Sequence, residues 1–162
     1  MLVSRSKFVK LAVVSPALGL LAAPATAQEA NPAPAPGAAP TREVLNSGLP
    51  EMAPGYELTL TRVTIPAGAI ISAHMHSGMQ LAHIESGTVH YTVVSGAAPY
   101  TRNLEDVLQA GDAMDFGPGD RITELPGMVH IAKNLGDEPV VIYTTSLFVI
   151  GMPTRIPVEP VS

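Results

Sequence analysis

Two histidines set two residues apart, His74 and His76, stand inside the stretch Gly68 to Gly87, GAIISAHMHSGMQLAHIESG. On a strand, side chains at i and i+2 leave the same face. Two neutral imidazoles on one face of a sheet begin a metal site, because each ring offers a nitrogen donor that suits a divalent transition ion. The competing reading is a pair of packed or surface histidines. β-Branched neighbours, and the Pro66-Ala67-Gly68 turn ahead of the pair, favour a strand that fixes both rings and so favour the metal. Gln80 follows four residues after His76, and the stretch closes on Glu85-Ser86-Gly87.

The elements that must hold these side chains read as strands throughout. From Tyr56, Tyr-Glu-Leu-Thr-Leu-Thr alternates with the period of a strand. The apolar phase slips near Thr61-Arg62, so that Val63 and Ile65 take over, and a β-bulge there is the expected cause. Ile70 to His76 and Gln80 to Glu85 are the next strands, joined by Ser77-Gly78, and Thr88 to Ser95 follows the Gly87 turn. Gly111-Asp112 and Gly119-Asp120 are turns, since Gly accepts positive φ and Asp bonds nearby backbone amides. Ala113 to Phe116, Arg121 to Leu125, Met128 to Lys133 and Val140 to Val149 are strands between and after them. No amphipathic helix pattern is present. Many short strands with Gly/Pro turns mean an all-β sandwich or barrel.

The 162 residues suffice for one domain. The opening residues have a different character. Arg5, Lys7 and Lys10 precede an apolar run from Leu11 to Ala25, too short to span a bilayer comfortably, and Ala25-Thr26-Ala27 is a small-x-small cleavage site. Residues 1–27 are therefore expected to be a signal peptide cut between Ala27 and Gln28, giving a periplasmic or secreted protein with no membrane contact after its removal. The absence of Cys excludes a lipoprotein anchor and any disulfide framework. Removal of the signal leaves six Lys/Arg against fourteen Asp/Glu, a formal charge of −8. Such a surface repels nucleic acid and anionic lipid. Residues 28–40, QEANPAPAPGAAP, read as a disordered Ala/Pro-rich linker. Residues 41–150 are the domain, with Glu43-Val44-Leu45 as a short edge strand or turn, and residues 151–162 a Pro-rich tail that wraps the surface or frays.

Two segments resemble the paired motifs of the cupin superfamily. Gly68, His74, His76, position 80 and Gly87 match the first, G-x5-H-x-H-x3,4-E-x6-G, with Gln80 where the family usually has Glu. Gly119, Gly127, His130 and Asn134 match the second, G-x5-P-x-G-x2-H-x3-N, with Leu125 at the proline position and Pro126 one residue later. The resemblance extends over flanking strands from about Tyr56 to Val149. It narrows the all-β class to a small jelly-roll (cupin) β-barrel of the single-domain, type-2-like kind. It also implies a ligand set of His74, His76, Gln80 and His130 converging inside the barrel. The cofactor would be one divalent transition metal: Fe, Mn, Ni, Cu, Co or Zn. A homodimer is expected because small cupins commonly pair.

Gln80 would leave the ion at its full divalent charge if its amide oxygen coordinates, which acidifies a bound water and favours anionic ligands. It would otherwise only hydrogen-bond a water on the metal. Glu124, six residues before His130, is a candidate catalytic general base at the cavity mouth or else a solvated loop carboxylate. Glu85 and His83 fall out of phase with Gln80, and His90 lies beyond the Gly87 turn, so none of the three is expected to be a ligand. Met75, Met79, Met114 and Met128 read as barrel core; Met79 or Met128 turned inward would make an adaptable apolar pocket. The leading function is a metal-dependent oxidoreductase, a dioxygenase, acting on a small organic substrate with an anionic or oxygen handle. Isomerase, cyclase or lyase chemistry on a sugar acid is the rival within enzymes. A periplasmic small-molecule or metal-binding module is the rival outside them.

Overall fold

Short alternating segments separated by glycine turns leave only one way to bury the apolar face: stack strands into two sheets. A computed structural model describes residues 35–100 and 106–159, and all of its regular elements are strands. The signal segment and most of the linker lie outside the described residues, as do residues 101–105. The strands are β1 (Thr41–Gly48), β2 (Tyr56–Ile65), β3 (Ile70–Met75), β4 (Met79–Ser86), β5 (Val89–Ser95) and β6 (Ala97–Pro99). They continue with β7 (Val107–Gln109), β8 (Ala113–Phe116), β9 (Arg121–Glu124), β10 (Val129–Lys133), β11 (Val140–Val149) and β12 (Ile156–Pro157).

Two five-stranded antiparallel sheets result, in the orders β1-β2-β11-β4-β9 and β12-β3-β10-β5-β8, with β6-β7 as a separate ribbon. The pairing has a simple logic. β2 lies on β11, β3 on β10, β4 on β9 and β5 on β8, so the first half of the chain runs back along the second. From β2 to β5 and again from β8 to β12 successive strands alternate between sheets, which rolls this ribbon into a jelly-roll barrel. The core between the sheets is built from Ile65, Ile84, Val89, Val93, Phe116 and Val140, all fully buried. Gly87 turns β4 into β5 at φ 73°, and a Cβ there would stand 2.8 Å from the Pro139 carbonyl oxygen, so both conformation and space call for glycine.

Two expectations need correction, and a third is decided between its alternatives. β2 carries no bulge: its register against β11 is unbroken from Tyr56 to Ile65. The inward positions are Glu57, Thr59, Thr61, Val63 and Ile65, while Leu58 and Leu60 lie exposed on the outer face. The apparent slip marks a polar stretch of the interior, and the irregularity sits in the neighbouring β1, between Val44 and Asn46. The first strand is also longer than Glu43–Leu45, since a full ladder with β2 holds it in place. Of the tail's two readings, its described residues take the first: Ile156 and Pro157 pair with Met75 and His74 on β3, and the Val158 amide donates to the Ala73 carbonyl.

Candidate metal centre

β3 delivers His74, and His76 follows just past its last residue. β10 delivers His130 directly opposite His74 in the β10/β3 register. The ladder shifts between His130 and Ala132 on one side of β10 and between Val129 and His130 on the other. A bulge re-aims a side chain, and two irregularities flanking one residue turn His130 into the barrel. The rings of His74, His76 and His130 lie with centroids 5.0, 4.2 and 5.3 Å apart, and one nitrogen of each falls within 4.8 Å of the others. All three side chains are buried.

Ring orientation is set from behind. His74 Nδ1 donates to the Ser72 carbonyl at 2.8 Å, and His76 Nδ1 donates to the Thr154 carbonyl at 2.6 Å. A carbonyl only accepts, so the proton sits on Nδ1 and the Nε2 lone pair is left for the interior. Stacking adds a second restraint: His76 lies on Phe148 at 5.0 Å and His130 on Tyr91 at 5.1 Å.

Glu124 joins this group. It is buried on β9, with one carboxylate oxygen 3.1 Å from His76 Nε2 and the other 3.2 Å from His130 Nε2. Of the two sequence readings, the solvated loop carboxylate is thereby corrected. Gln80 on β4 stands directly across from Glu124 in the β4/β9 register. Its amide nitrogen donates to Glu124 at 2.5 Å, its amide oxygen accepts from the Ser146 hydroxyl at 2.8 Å, and the Tyr91 hydroxyl donates to Glu124 at 3.2 Å. A carboxylate can only accept, so the amide must present its NH2 to Glu124 and its oxygen to Ser146.

Burial disfavours a proton on His74 and on His130, and the Glu124 carboxylate stays charged. Burial, followed by the neighbouring His130 ring, lowers the pKa of His74 to about 3. Burial likewise lowers His130, against the pull of Glu124. For Glu124 burial acts upward, but His130, His76 and His74 outweigh it and hold the carboxyl at about 2. Burial and the Glu124 charge push the Tyr91 phenol well up, so it stays a hydrogen-bond donor.

One atom tests whether a metal fits. His76 Nε2 is fully buried, and the polar atom beside it is a Glu124 carboxylate oxygen at 3.1 Å. A proton on Nε2 would pair it with the carboxylate, and so would a metal ion shared by the two atoms. Three imidazoles and a carboxylate are the donors a borderline divalent ion selects. The residues fit such an ion.

Around the cluster lies a cavity of about 240 Å³. Val63, Ile71, Val89, Ile122 and Ile142 form its apolar wall, and among the described residues no methionine lines it. Met128 is buried in the core and Met79 is exposed on the outer face, so the adaptable methionine pocket is not what was built. Thr144 adds a buried hydroxyl without a partner. Arg42 and Arg155 also line the cavity, and among the described residues neither is in an ion pair. His83 and His90 face carboxylates away from the cavity, Glu85 at 3.7 Å and Asp115 at 2.7 Å. Sequence reasoning missed Arg42, Tyr91, Ser146, Thr154 and Arg155. Only Tyr91 left a signal, as an inward position of the alternating TVHYTVVS run.

The cupin domain model matches residues 61–149, more than half the chain. The chain belongs to the cupin family. Solved structures similar to this cupin include a conserved protein of unknown function from Streptococcus pyogenes, 15% identical with a TM-score of 0.47 over 67% of this chain and 74% of that one. The oxalate decarboxylase of Lactobacillus farciminis, in a formate complex, is 18% identical with a TM-score of 0.47, covering 62% of this cupin and 26% of that chain. A DMSP lyase from Ruegeria pomeroyi is 18% identical with a TM-score of 0.46, covering 59% of this cupin and 41% of that chain. This cupin thus spans less than half the length of the latter two. No curated protein matches it in sequence.

Proposed function

We propose that this cupin is an exported mononuclear metalloenzyme acting on a small anionic organic substrate, with dioxygenase or related oxidoreductase chemistry. The observation that carries the reading is the buried cluster of three imidazoles, one nitrogen of each within 4.8 Å of the others, that opens on a cavity. His74, His76 and His130 hold the ion. When bound, it supplies a Lewis acid and, if redox-active, a seat for electron transfer. The remaining work falls to the chain. Arg42 and Arg155 draw the substrate's anionic group to the cavity and orient it by charge-assisted hydrogen bonds. Arg42 stands opposite Val63, a cavity residue, and burial lowers its pKa against the pull of Glu57. The aliphatic wall takes the substrate's body and excludes water. Thr144 offers a hydroxyl to an oxygen of the substrate. Tyr91 holds its proton on the phenol oxygen, directed at Glu124.

A second reading, metal-assisted isomerisation, cyclisation or elimination on a sugar acid, needs only a Lewis acid beside the cavity's Arg42 and Arg155 and no oxidant. Export through residues 1–27 and pairing into a homodimer belong to the same proposal.

The test begins with elemental analysis of the protein purified from its native compartment. One equivalent of a transition metal is expected in the natural chain, and a several-fold loss in His74→Ala and His130→Ala variants that still fold. Oxygen uptake by the loaded protein with candidate phenols, diketones or short carboxylates then separates the two chemistries: turnover without oxygen consumption selects the second. Metal-free natural protein, or full metal in the variants, would remove the proposal.

A further inference from the structure

We infer that Glu124 supplies the carboxylate of the metal centre, so that the donor usual at position 80 of the family motif has moved across one strand pair and Gln80 positions it. This rests on the metal-centre reading above and concerns which side chain completes it.

Three independent features carry the assignment. The first is distance. Two ligands bonded at about 2.1 Å and set at right angles around one ion stand about 3.0 Å apart. Glu124 lies 3.1 Å from His76 Nε2 and 3.2 Å from His130 Nε2, one oxygen to each. The carboxylate thus stands where a neighbouring ligand of two of the three imidazoles would, outside the group of mutually close donors formed by His74, His76 and His130, and joins them by closing toward His74 when the ion binds.

The second is the state of the amide. Gln80 spends both ends on other partners: NH2 on Glu124 and oxygen on Ser146. Reversing it would set an amide oxygen against a carboxylate oxygen at 2.5 Å, a contact between two acceptors. Its oxygen therefore points away from the imidazoles. A ligating carboxylate that receives hydrogen bonds from Gln80 and Tyr91 has the support such ligands ordinarily have.

The third is register. Gln80 and Glu124 are direct cross-strand partners, and both side chains point into the barrel. Neighbouring strands lie about 4.8 Å apart. A carboxylate leaving β9 in place of β4 needs a sideways shift of only one strand spacing to reach the same ion. The charge consequence differs from the sequence expectation for Gln80. The centre keeps its anionic ligand and holds a divalent ion at a reduced net charge.

The experiment is a metal titration of the full-length chain in four forms: natural, Gln80→Leu, Glu124→Gln, and the exchanged pair Gln80→Glu/Glu124→Gln. Cobalt(II) serves as the probe, read by its visible absorption and by chelator competition, with circular dichroism reporting the fold. Gln80→Leu should bind cobalt about 10- to 100-fold more weakly, the usual cost of losing a ligand's hydrogen-bond partner, with the absorption bands retained. Glu124→Gln should lose more affinity than that and change the bands. The exchanged pair should regain affinity relative to Glu124→Gln, because the carboxylate returns from β4. That recovery excludes misfolding as the reason for the single variant's loss. Unchanged affinity and bands in Glu124→Gln, with loss in Gln80→Leu, would overturn the assignment while leaving the metal centre standing. A natural chain that binds no cobalt would overturn both.

Discussion

Asn134 shows how one residue ties the second motif to the barrel. It is 1% exposed, and its amide donates to the carbonyls of Ile65 and Glu138 while its oxygen accepts from the Gly136 amide. It thereby fastens the loop after β10 to the end of β2, two strands in different sheets. Asn134→Ala leaves buried backbone groups unpaired, and each costs about 1–3 kcal/mol. A loss of about 2–3 kcal/mol in urea unfolding is the expected result, with metal stoichiometry retained. The His74, His76 and His130 cluster was legible from spacing together with the family resemblance, because a two-residue offset fixes a face. The Gln80–Glu124 exchange was not. The two residues are 44 apart in sequence, and only the β4/β9 register makes them neighbours. The same holds for Ser146, which the chain brings to Gln80 across 66 residues.

At the level of elements, the C-terminal tail has the clearest consequence. Composition suggested surface wrapping, because three prolines deny it a long ladder. Two residues of pairing on β3 are nonetheless enough to set the Thr154 carbonyl on His76 Nδ1, and Arg155 reaches the cavity. Truncation after Gly151 removes that acceptor without touching a ligand. The truncated protein should fold and bind metal about 10- to 100-fold more weakly, as chelator competition would measure, because His76 loses the bond that fixes its tautomer. Affinity equal to that of the full chain would deny β12 any part in the site. Strand positions were readable where apolar alternation matched the inward face, as in β5. They misled in β2, where Thr59 and Thr61 face inward and Leu58 and Leu60 outward. Periodicity finds a strand, but only its partners decide which face is inside.

For the whole molecule, the interior centre couples stability to pH in a direction that follows from its groups. In the metal-free protein, folding holds His74 at about 3 in place of 6.5 and lowers His130 in the same sense. Below pH 6.5 the unfolded chain takes up protons that the folded rings refuse, so the unfolded state binds more protons and gains relative stability as pH falls. Glu124, held at about 2 in place of 4.5, acts in the same direction from pH 4.5 downward: its contribution is complete above 4.5 and lost toward 2. Each imidazole contributes a slope of at most about 1.4 kcal/mol per pH unit between its two pKa values. The melting temperature of the metal-free protein should therefore drop steadily from pH 6.5 to pH 4. His74→Asn should flatten that slope by removing one of the resisting rings. A bound divalent ion occupies the lone pairs that protons would seek and stabilises only the folded chain, so the loaded protein should hold its melting temperature to a lower pH before falling more steeply as the ion leaves. Scanning calorimetry of both forms across this range measures the difference, and two coincident, pH-independent curves would mean that the buried imidazoles do not govern acid stability.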